Sequence, residues 1–246
     1  MCQIKFVIIL FFSCLTCAAE KTDASWWKKR AEIMVNNQLV GRGIQDERVL
    51  RVMRETPRHL FVPDNLKDDA YKDGPLPIGE GQTISQPYIV ALMTVLLELN
   101  GNERILEVGT GSGYQAAILS PLVKEVYSIE IVKSLAENAY KKLKEMQYQN
   151  VAVKWGDGYE GWAAHAPYDA IIVTAAPDQV PQTLIDQIKI GGRLVVPVGT
   201  YFQKLKVITK MKDGDVGEKN IISVRFVPMV HSDKTSRDSS KFQISD

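Results

Sequence analysis

A glycine-rich turn between an apolar run and a helix places the tightest constraint on the fold of this chain. After the apolar run 105–108, three glycines alternate with other residues before a helix-compatible run begins. They are Gly109, Gly111 and Gly113. A strand, a glycine turn and a helix in this order form the first half of a nucleotide-binding βαβ unit. The glycines let the backbone approach a ligand closely, and the start of the helix adds outward-pointing N–H groups.

The spacing of the glycines separates two kinds of nucleotide ligand. The dinucleotide motif G-x-G-x-x-G would place its third glycine at position 114, where this chain has Tyr114. Glu107 precedes the turn, and Glu130 ends the next apolar run, where a carboxylate suits a ribose diol. The pattern therefore favours a nucleoside without a pyrophosphate over NAD. The alternative is a glycine turn that binds nothing.

Beyond this turn, apolar runs alternate with helix-compatible segments, which is typical of a doubly wound α/β fold. Strands are predicted at 105–108, 126–130, 151–154, 169–174, 193–198, 205–210 and 221–227. Helices are predicted at 114–119, 131–147 and 181–188. A turn-rich link at 211–219 joins the last two strands. We therefore predict a Rossmann-like, seven-stranded, mostly parallel sheet that ends in an antiparallel hairpin.

The residues before the sheet predict a helical and loop extension. Helices are expected at 25–40, 46–54 and 89–99, whereas 64–81 has neither helical nor strand periodicity. Ser85 is placed as the N-cap of the third helix, with Pro87 in its first turn. Ser85 then has two interpretations. It is a helix cap alone, or its hydroxyl at a helix N-terminus binds a carboxylate.

The first segment of the chain has the pattern of a secretory signal peptide. Lys5 precedes the apolar run 6–12, and small residues extend to Ala19. This apolar core is too short to span a bilayer comfortably. All three cysteines of the chain lie here, at Cys2, Cys14 and Cys17, so the rest of the chain has no disulfide, cysteine metal site or thiol nucleophile. An alternative is that the protein starts at Met34.

Charge and histidine content exclude further classes of function. The chain has 30 basic and 29 acidic residues, a net charge of +1, so no basic excess indicates nucleic-acid binding. The histidines have neither ligand nor triad spacing, and no metal is expected. We assign His59 to packing, His165 to a loop and His231 to the solvated start of a polar tail.

Four features follow successive predicted strands and therefore meet at one edge of the sheet. They are the glycine turn, Glu130, Asp157 and Thr174. Asp157 lies between two glycines and is placed to accept a hydrogen bond from an adenine amine, although a Gly-Asp-Gly sequence more often marks a plain turn. Together these four features predict a ligand site more strongly than any one of them does, because all four would line one crevice.

Residues 105–119 resemble the first motif of S-adenosylmethionine-dependent methyltransferases. Blocks at 76–79, 81–88, 167–177, 191–199 and 224–228 are similar to protein-L-isoaspartate O-methyltransferases. The resemblance runs from about Met34 to about Val230, and the block 83–87 is quite specific to that family. The signal-peptide-like leader departs from the usual family member.

The resemblance implies methylation of the free α-carboxylate of L-isoaspartyl and D-aspartyl residues in damaged proteins. The ester then closes to a succinimide, and hydrolysis returns some normal aspartate. Ser85 would be the active-site serine, and Ser85, Phe226 and Val227 would contact the substrate. The residues implied to hold S-adenosylmethionine are Thr83, Ile84, Glu107, Gly109, Thr110, Gly111, Ser112, Gly113, Glu130, Asp157, Gly158 and Thr174.

Two other functions stay open at this point. An NAD-dependent oxidoreductase is disfavoured by Tyr114 at the third-glycine position. An exported, non-enzymatic binding protein on the same scaffold is suggested by the leader. Because S-adenosylmethionine is made in the cytosol, we predict a cytoplasmic protein, with export through 1–19 to the periplasm or beyond as the alternative.

The chain is accordingly divided into four segments. They are a leader at 1–19, the extension at 20–82, a cofactor-binding methyltransferase domain at 83–231 and a polar tail at 232–246. Without an exposed apolar stripe in the sequence, a monomer is expected.

Overall fold

The computed structural model describes residues 20–232. The predicted leader at 1–19, its cysteines and the tail beyond Ser232 lie outside the described residues. The helices are α1 (Glu20–Met34), α2 (Glu47–Glu55), α3 (Pro87–Leu96), α4 (Tyr114–Leu119), α5 (Lys133–Glu145) and α6 (Gln182–Asp186). The strands are β1 (Leu76–Gly79), β2 (Gln82–Ile84), β3 (Arg104–Val108), β4 (Glu125–Glu130), β5 (Val151–Trp155), β6 (Tyr168–Val173), β7 (Ile188–Val198), β8 (Gln203–Lys210) and β9 (Val216–Val224).

The central sheet has seven strands in the order β5-β4-β3-β6-β7-β8-β9. β3 to β7 pair in parallel, and β8 and β9 add an antiparallel end. This confirms the predicted fold class. The chain leaves β3 toward β4 on one side and later returns to β6 on the other side. The switch point therefore lies at the carboxyl ends of β3 and β6, where ligands bind in open α/β sheets.

The central strands are apolar and buried because helices cover both faces of the sheet. On β3, Ile105 and Leu106 are fully buried, as are Ile171 and Ile172 on β6. Helix α4 has the bounds that its sequence predicts, and all six of its residues are buried. No helix within residues 20–232 is long and apolar enough to cross a membrane.

Two strands differ from the sequence-based expectation by three residues or more. β7 begins at Ile188 rather than at 193, because exposed Lys189 and the glycine pair after it hide the strand pattern. β9 runs over Val216–Val224 rather than 221–227, and the link before it spans only 211–215. β9 is an edge strand whose first residues are mostly exposed, so no apolar run marks its beginning.

The loop predicted at 64–81 is wrong. A 3₁₀ turn occupies Asp64–Asp69, and β1 pairs with β2 in a short antiparallel hairpin. Glu80 at the tip of this hairpin has a φ of 53° between two glycines with positive φ. Strands of four and three residues are too short to show periodicity in the sequence.

The predicted helix near the start also needs correction. It begins at Glu20, earlier than 25, and after Met34 it continues as a π-helical segment, Val35–Leu39. His59 packs as predicted. It is buried, with its ring centroid 5.0 Å from that of Trp26, and its Nδ1 lies 2.8 Å from the Tyr71 hydroxyl.

The placement of Ser85 as a helix N-cap is wrong. Pro87 takes the first helical position of α3, so Gln86 is the cap, and no side chain caps this helix. Proline at that position lacks an N–H and fixes the helix entry by its own φ. Ser85 lies one residue outside the cap. The helix-capping interpretation of its hydroxyl is thereby removed.

Candidate active site

A cavity opens at the carboxyl edge of β3 and β6, at the switch point of the sheet. We call it the inner cavity, and most of the predicted site residues line it. They are Thr83, Ile84, Ser85, Gly109, Thr110, Gly111, Ser112, Glu130, Gly158, Thr174 and Val227. The other four predicted residues, Glu107, Gly113, Asp157 and Phe226, are not in its wall. Gly113 caps α4, and a Cβ there would lie 3.3 Å from Leu143.

The glycine turn lines the inner cavity with main-chain atoms. Gly109 has a φ of +99°, and a Cβ there would lie 2.4 Å from Thr174 Oγ1. Thr174 Oγ1 donates to the Gly109 carbonyl at 2.6 Å. A Cβ on Gly158 would lie 2.4 Å from Cγ1 of Val108, the residue before Gly109. Neighbouring side chains thus occupy the space of a Cβ at both positions, and Gly109 and Gly158 line the inner cavity with main chain alone.

Glu130 lies at the end of β4 and is almost wholly buried. Its Oε2 accepts a hydrogen bond from the Gly111 N–H at 2.7 Å, and its Oε1 accepts from the Val132 N–H at 2.9 Å. A carboxylate has about four acceptor positions, so two remain for a ligand. Glu130 thus fixes the glycine turn and still offers acceptors to the inner cavity.

Asp157 is engaged by the chain itself. Its Oδ1 accepts from the Tyr159 N–H at 2.9 Å, and its Oδ2 accepts from the Ser232 N–H at 3.0 Å. His231 stacks on Tyr159 with ring centroids 3.8 Å apart, so His231 is exposed, as predicted, but packed against a ring. The adenine contact expected of Asp157 stays a prediction.

Glu107 lies on β3 next to the glycine turn and has no exposed surface. Its Oε2 accepts from the Ser128 hydroxyl at 2.5 Å, and Ser128 Oγ lies 2.5 Å from Thr110 Oγ1. Glu107 Oε1 has no hydrogen-bond partner within the described part of the chain. Burial raises the pKa of the Glu107 carboxyl to about 8, from an ordinary 4.5, and the Glu130 charge adds to the rise.

Replacing Glu107 with glutamine is expected to remove a pH-dependent loss of stability. Between pH 4.5 and 8 the folded state holds a proton that the unfolded state releases, so the wild-type free energy of unfolding falls as pH rises. The fall is about 1.4 kcal/mol per pH unit within that window. Urea denaturation from pH 5 to 8.5 should show that the free energy of unfolding of Glu107→Gln increases relative to that of the wild type as pH rises. A constant difference between the two proteins would contradict this account.

Arg58 fixes the main chain at Ser85, and the sequence analysis did not identify it. The side chain is fully buried. Its Nη2 donates to the Ser85 carbonyl and its Nε to the Ala70 carbonyl, both at 2.7 Å. The guanidinium also lies 4.7 Å from the centre of the Tyr114 ring. The rest of the 3₁₀ turn Arg58–Phe61 contains His59 as well as two apolar residues, so no local pattern marks Arg58.

Replacing Arg58 with methionine should weaken both the fold and the reaction. Two buried carbonyls lose their donors, which costs roughly 2–4 kcal/mol of unfolding free energy. Because the Ser85 main chain is then less firmly held, kcat/KM should fall about tenfold. Denaturation and steady-state assays measure both effects. Arg51→Met, on the exposed side of α2, is the control, and equal effects of the two changes would refute the role of Arg58.

A second space adjoins the inner cavity, and we call it the outer groove. Thr83, Ser85, Thr174 and Val227 line both spaces. Phe226 lines the outer groove only, which explains its absence from the inner cavity. The Phe226 N–H donates to Gln203 Oε1 at 2.6 Å, and Gln203 Nε2 donates to the Phe226 carbonyl at 3.0 Å. Ser85 therefore lies where the two spaces meet.

The Ser85 hydroxyl is half-buried and has no hydrogen-bond partner among residues 20–232. Ser85 lines both the inner cavity and the outer groove. No group of three or more metal-ligating side chains occurs in that same part of the chain.

Comparisons with known proteins all indicate one enzyme family. A family model described as protein-L-isoaspartate(D-aspartate) O-methyltransferase matches residues 29–234. A relative from Shewanella sediminis named protein-L-isoaspartate O-methyltransferase 2 is 55% identical over 227 residues, which cover 91% of this chain and 93% of the relative.

Two solved structures have a fold similar to that of this chain. One protein-L-isoaspartate O-methyltransferase structure is 30% identical with a TM-score of 0.72, and the match covers 82% of this chain and 65% of that one. A Plasmodium falciparum structure assigned to the same enzyme class, in complex with S-adenosyl-L-homocysteine, is 26% identical with a TM-score of 0.70. That match covers 84% of this chain and 99% of the other.

Proposed function

This chain belongs to the protein-L-isoaspartate(D-aspartate) O-methyltransferase family, and on that premise we propose that Ser85 receives the substrate carboxylate where the inner cavity meets the outer groove. The chain is an S-adenosylmethionine-dependent carboxyl methyltransferase that acts on isoaspartyl residues of damaged proteins and so begins their repair. The proposal for Ser85 rests on one observation above all. Its unpartnered hydroxyl borders both spaces.

The residues of the inner cavity fit this cofactor. Gly109 and Gly158 line it with main chain alone, so flat groups of a ligand meet no side chain at these two positions. Glu130 keeps acceptor positions free for the two hydroxyls of a ribose. When bound, S-adenosylmethionine supplies a methyl group that is already activated by its positive sulfur. The protein must then orient the acceptor and exclude water.

The acceptor needs little chemical help. An isoaspartyl α-carboxyl has a pKa near ~4, so it is ionised at neutral pH and requires no general base. Ser85 can donate one hydrogen bond to a carboxylate oxygen and leave the other oxygen free to react. The contact of Arg58 with the Ser85 carbonyl holds this segment in place. Phe226 and Val227 form the apolar wall along which the substrate main chain would lie.

A pair of peptides tests this function. One carries an isoaspartyl residue and its twin a normal aspartyl residue at the same position, and both are incubated with methyl-labelled cofactor. Only the isoaspartyl peptide should acquire label, as a base-labile ester. Equal labelling of both peptides, or of neither, would contradict the function. A parallel thermal-shift comparison should show stabilisation by S-adenosylhomocysteine and none by NADH.

We infer that the enzyme works in the cytoplasm as a monomer. The inference on location rests on cofactor supply, since the methyl donor is made in the cytosol. Cell fractionation with a mass spectrum of the mature N-terminus tests it, and a wholly exported protein that lacks residues 1–19 would overturn it. Sedimentation at equilibrium tests the oligomeric state.

A further inference from the structure

Two adjacent aromatic side chains stand almost fully in solvent at the β7–β8 turn. Tyr201 is 95% exposed and Phe202 is 92% exposed. Single exposed apolar residues are ordinary on protein surfaces, but large contiguous ones mark sites of interaction. Neither side chain has a packing partner within the described chain that would account for its presence.

This turn lies at the same edge of the sheet as the two ligand spaces. β7 runs parallel to β6, with Val195 level with Ile172, so the end of β7 lies beside the segment that follows β6. The Gly199 N–H donates to the Pro177 carbonyl at 3.0 Å, which joins the turn to that segment. Gly199 has a φ of +120°, and a Cβ there would lie 2.4 Å from the Phe202 carbonyl oxygen. The main chain of the turn is therefore tightly closed, which fixes the place at which the aromatic pair leaves the protein surface.

Gln203 connects the aromatic pair to the outer groove. It follows Phe202 directly, and its side chain makes two hydrogen bonds to the main chain of Phe226 in the groove wall. Tyr201 lies two residues before Gln203, a chain length of at most about 7 Å. A polypeptide in the outer groove would reach the aromatic pair within a few residues of its modified aspartate.

A protein substrate would bring apolar residues to this place. When the segment that carries the isoaspartyl residue is locally unfolded, the apolar residues near it are exposed to water. Covering them is favourable, and rigid aromatic side chains provide large contact areas at a small cost in conformational entropy. The outer groove already has an apolar wall, in Ile89, Val224 and Phe226, that continues toward the turn.

We propose that Tyr201 and Phe202 bind apolar side chains of the substrate polypeptide located three to five residues from the isoaspartyl residue. This rests on the proposed function, because it places the substrate main chain in the outer groove. The pair acts on binding and not on the methyl transfer itself. It should favour locally unfolded segments that expose core residues over polar flexible ones.

Two isoaspartyl peptides test the proposal. One carries leucines three to five residues away on both sides of the isoaspartate, and its twin carries serines there. The wild type should show a KM about tenfold lower for the leucine peptide, as expected for burial of one apolar side chain. The double variant Tyr201→Ser, Phe202→Ser should lose this preference, with kcat and the KM for the serine peptide unchanged.

Ile190→Ser is the matched control. Ile190 is 61% exposed on the same strand, β7, but at the opposite edge of the sheet. This variant should keep the wild-type preference. A double variant that keeps the preference, or a control that loses it equally, would overturn the proposal. Equilibrium binding of both peptides to protein saturated with S-adenosylhomocysteine tests the aromatic pair separately from the proposed methylation. It reports peptide binding even if neither peptide is methylated.

Discussion

Replacing Ser85 with alanine is expected to lower kcat/KM for an isoaspartyl peptide about 100-fold, the scale of loss when a reacting group is misplaced by about 1 Å. The affinity for S-adenosylhomocysteine should stay within about twofold of the wild type, a change of less than 0.5 kcal/mol. The physical reason is that the hydroxyl orients the carboxylate oxygen, whereas the cofactor is held by the glycine turn and Glu130. Steady-state methylation and calorimetry measure the two quantities on the same preparation.

Ser134→Ala is the control for this change. Ser134 is also half-buried, and its hydroxyl donates to Glu80 at 2.9 Å, away from the junction of the two spaces. It should retain full activity. If Ser85→Ala loses cofactor binding together with activity, Ser85 supports the fold of the site and does not orient the substrate.

Replacing Glu130 with glutamine is expected to weaken S-adenosylhomocysteine binding about 100-fold, or about 2.7 kcal/mol. Both carboxylate oxygens accept from main-chain N–H groups, of Gly111 and Val132. A glutamine amide turns one of these acceptors into a donor, so one buried N–H is left unpaired, which lowers the free energy of unfolding by about 1–3 kcal/mol. The loss of affinity comes from the contact with the cofactor. The ribose loses an acceptor at the same position. Titration calorimetry measures the loss directly.

Glu125→Gln provides the comparison for Glu130. Glu125 lies at the other end of β4 and pairs with Arg104 at 2.8 Å, far from the glycine turn. Its replacement should change the cofactor affinity by less than twofold. An affinity for Glu130→Gln within threefold of the wild type would mean that the carboxylate serves the turn alone and does not contact the ribose.

The central sheet was predictable because its strands are buried on both faces. Residues 105–108 and 169–174 are mostly apolar, lie on strands in the middle of the sheet, and each matches an observed strand to within one residue. Helix α4 starts where the glycine turn ends, so its start was fixed by the same motif. The hairpin β1–β2 and the first half of β9 were missed because short or exposed strands bury too few side chains to leave a periodic pattern.

The sequence predicted the part of the site that local patterns encode, and it did not predict the part that depends on long-range contacts. Local patterns indicated the glycine turn, Glu130 and a candidate carboxylate site at Ser85, and the family resemblance implied that Ser85 is the active-site serine. The contact between Arg58 and the Ser85 carbonyl joins residues 27 positions apart in the chain, and no local pattern encodes it. The capping role of Ser85 failed because one proline moved the helix start by a residue. The family assignment supports the methyltransferase and gives no support to an NAD-dependent oxidoreductase or a non-enzymatic binding protein.

The central claim is that the substrate carboxylate lies at Ser85, between the inner cavity and the outer groove. A crystal structure of the enzyme with S-adenosylhomocysteine and an isoaspartyl peptide tests it most directly, through the distance from Ser85 Oγ to the nearest α-carboxylate oxygen. The account predicts a hydrogen bond of about 2.5–3.0 Å, with the other carboxylate oxygen facing the cofactor sulfur. A carboxylate bound away from Ser85, with the peptide outside the outer groove, would contradict it.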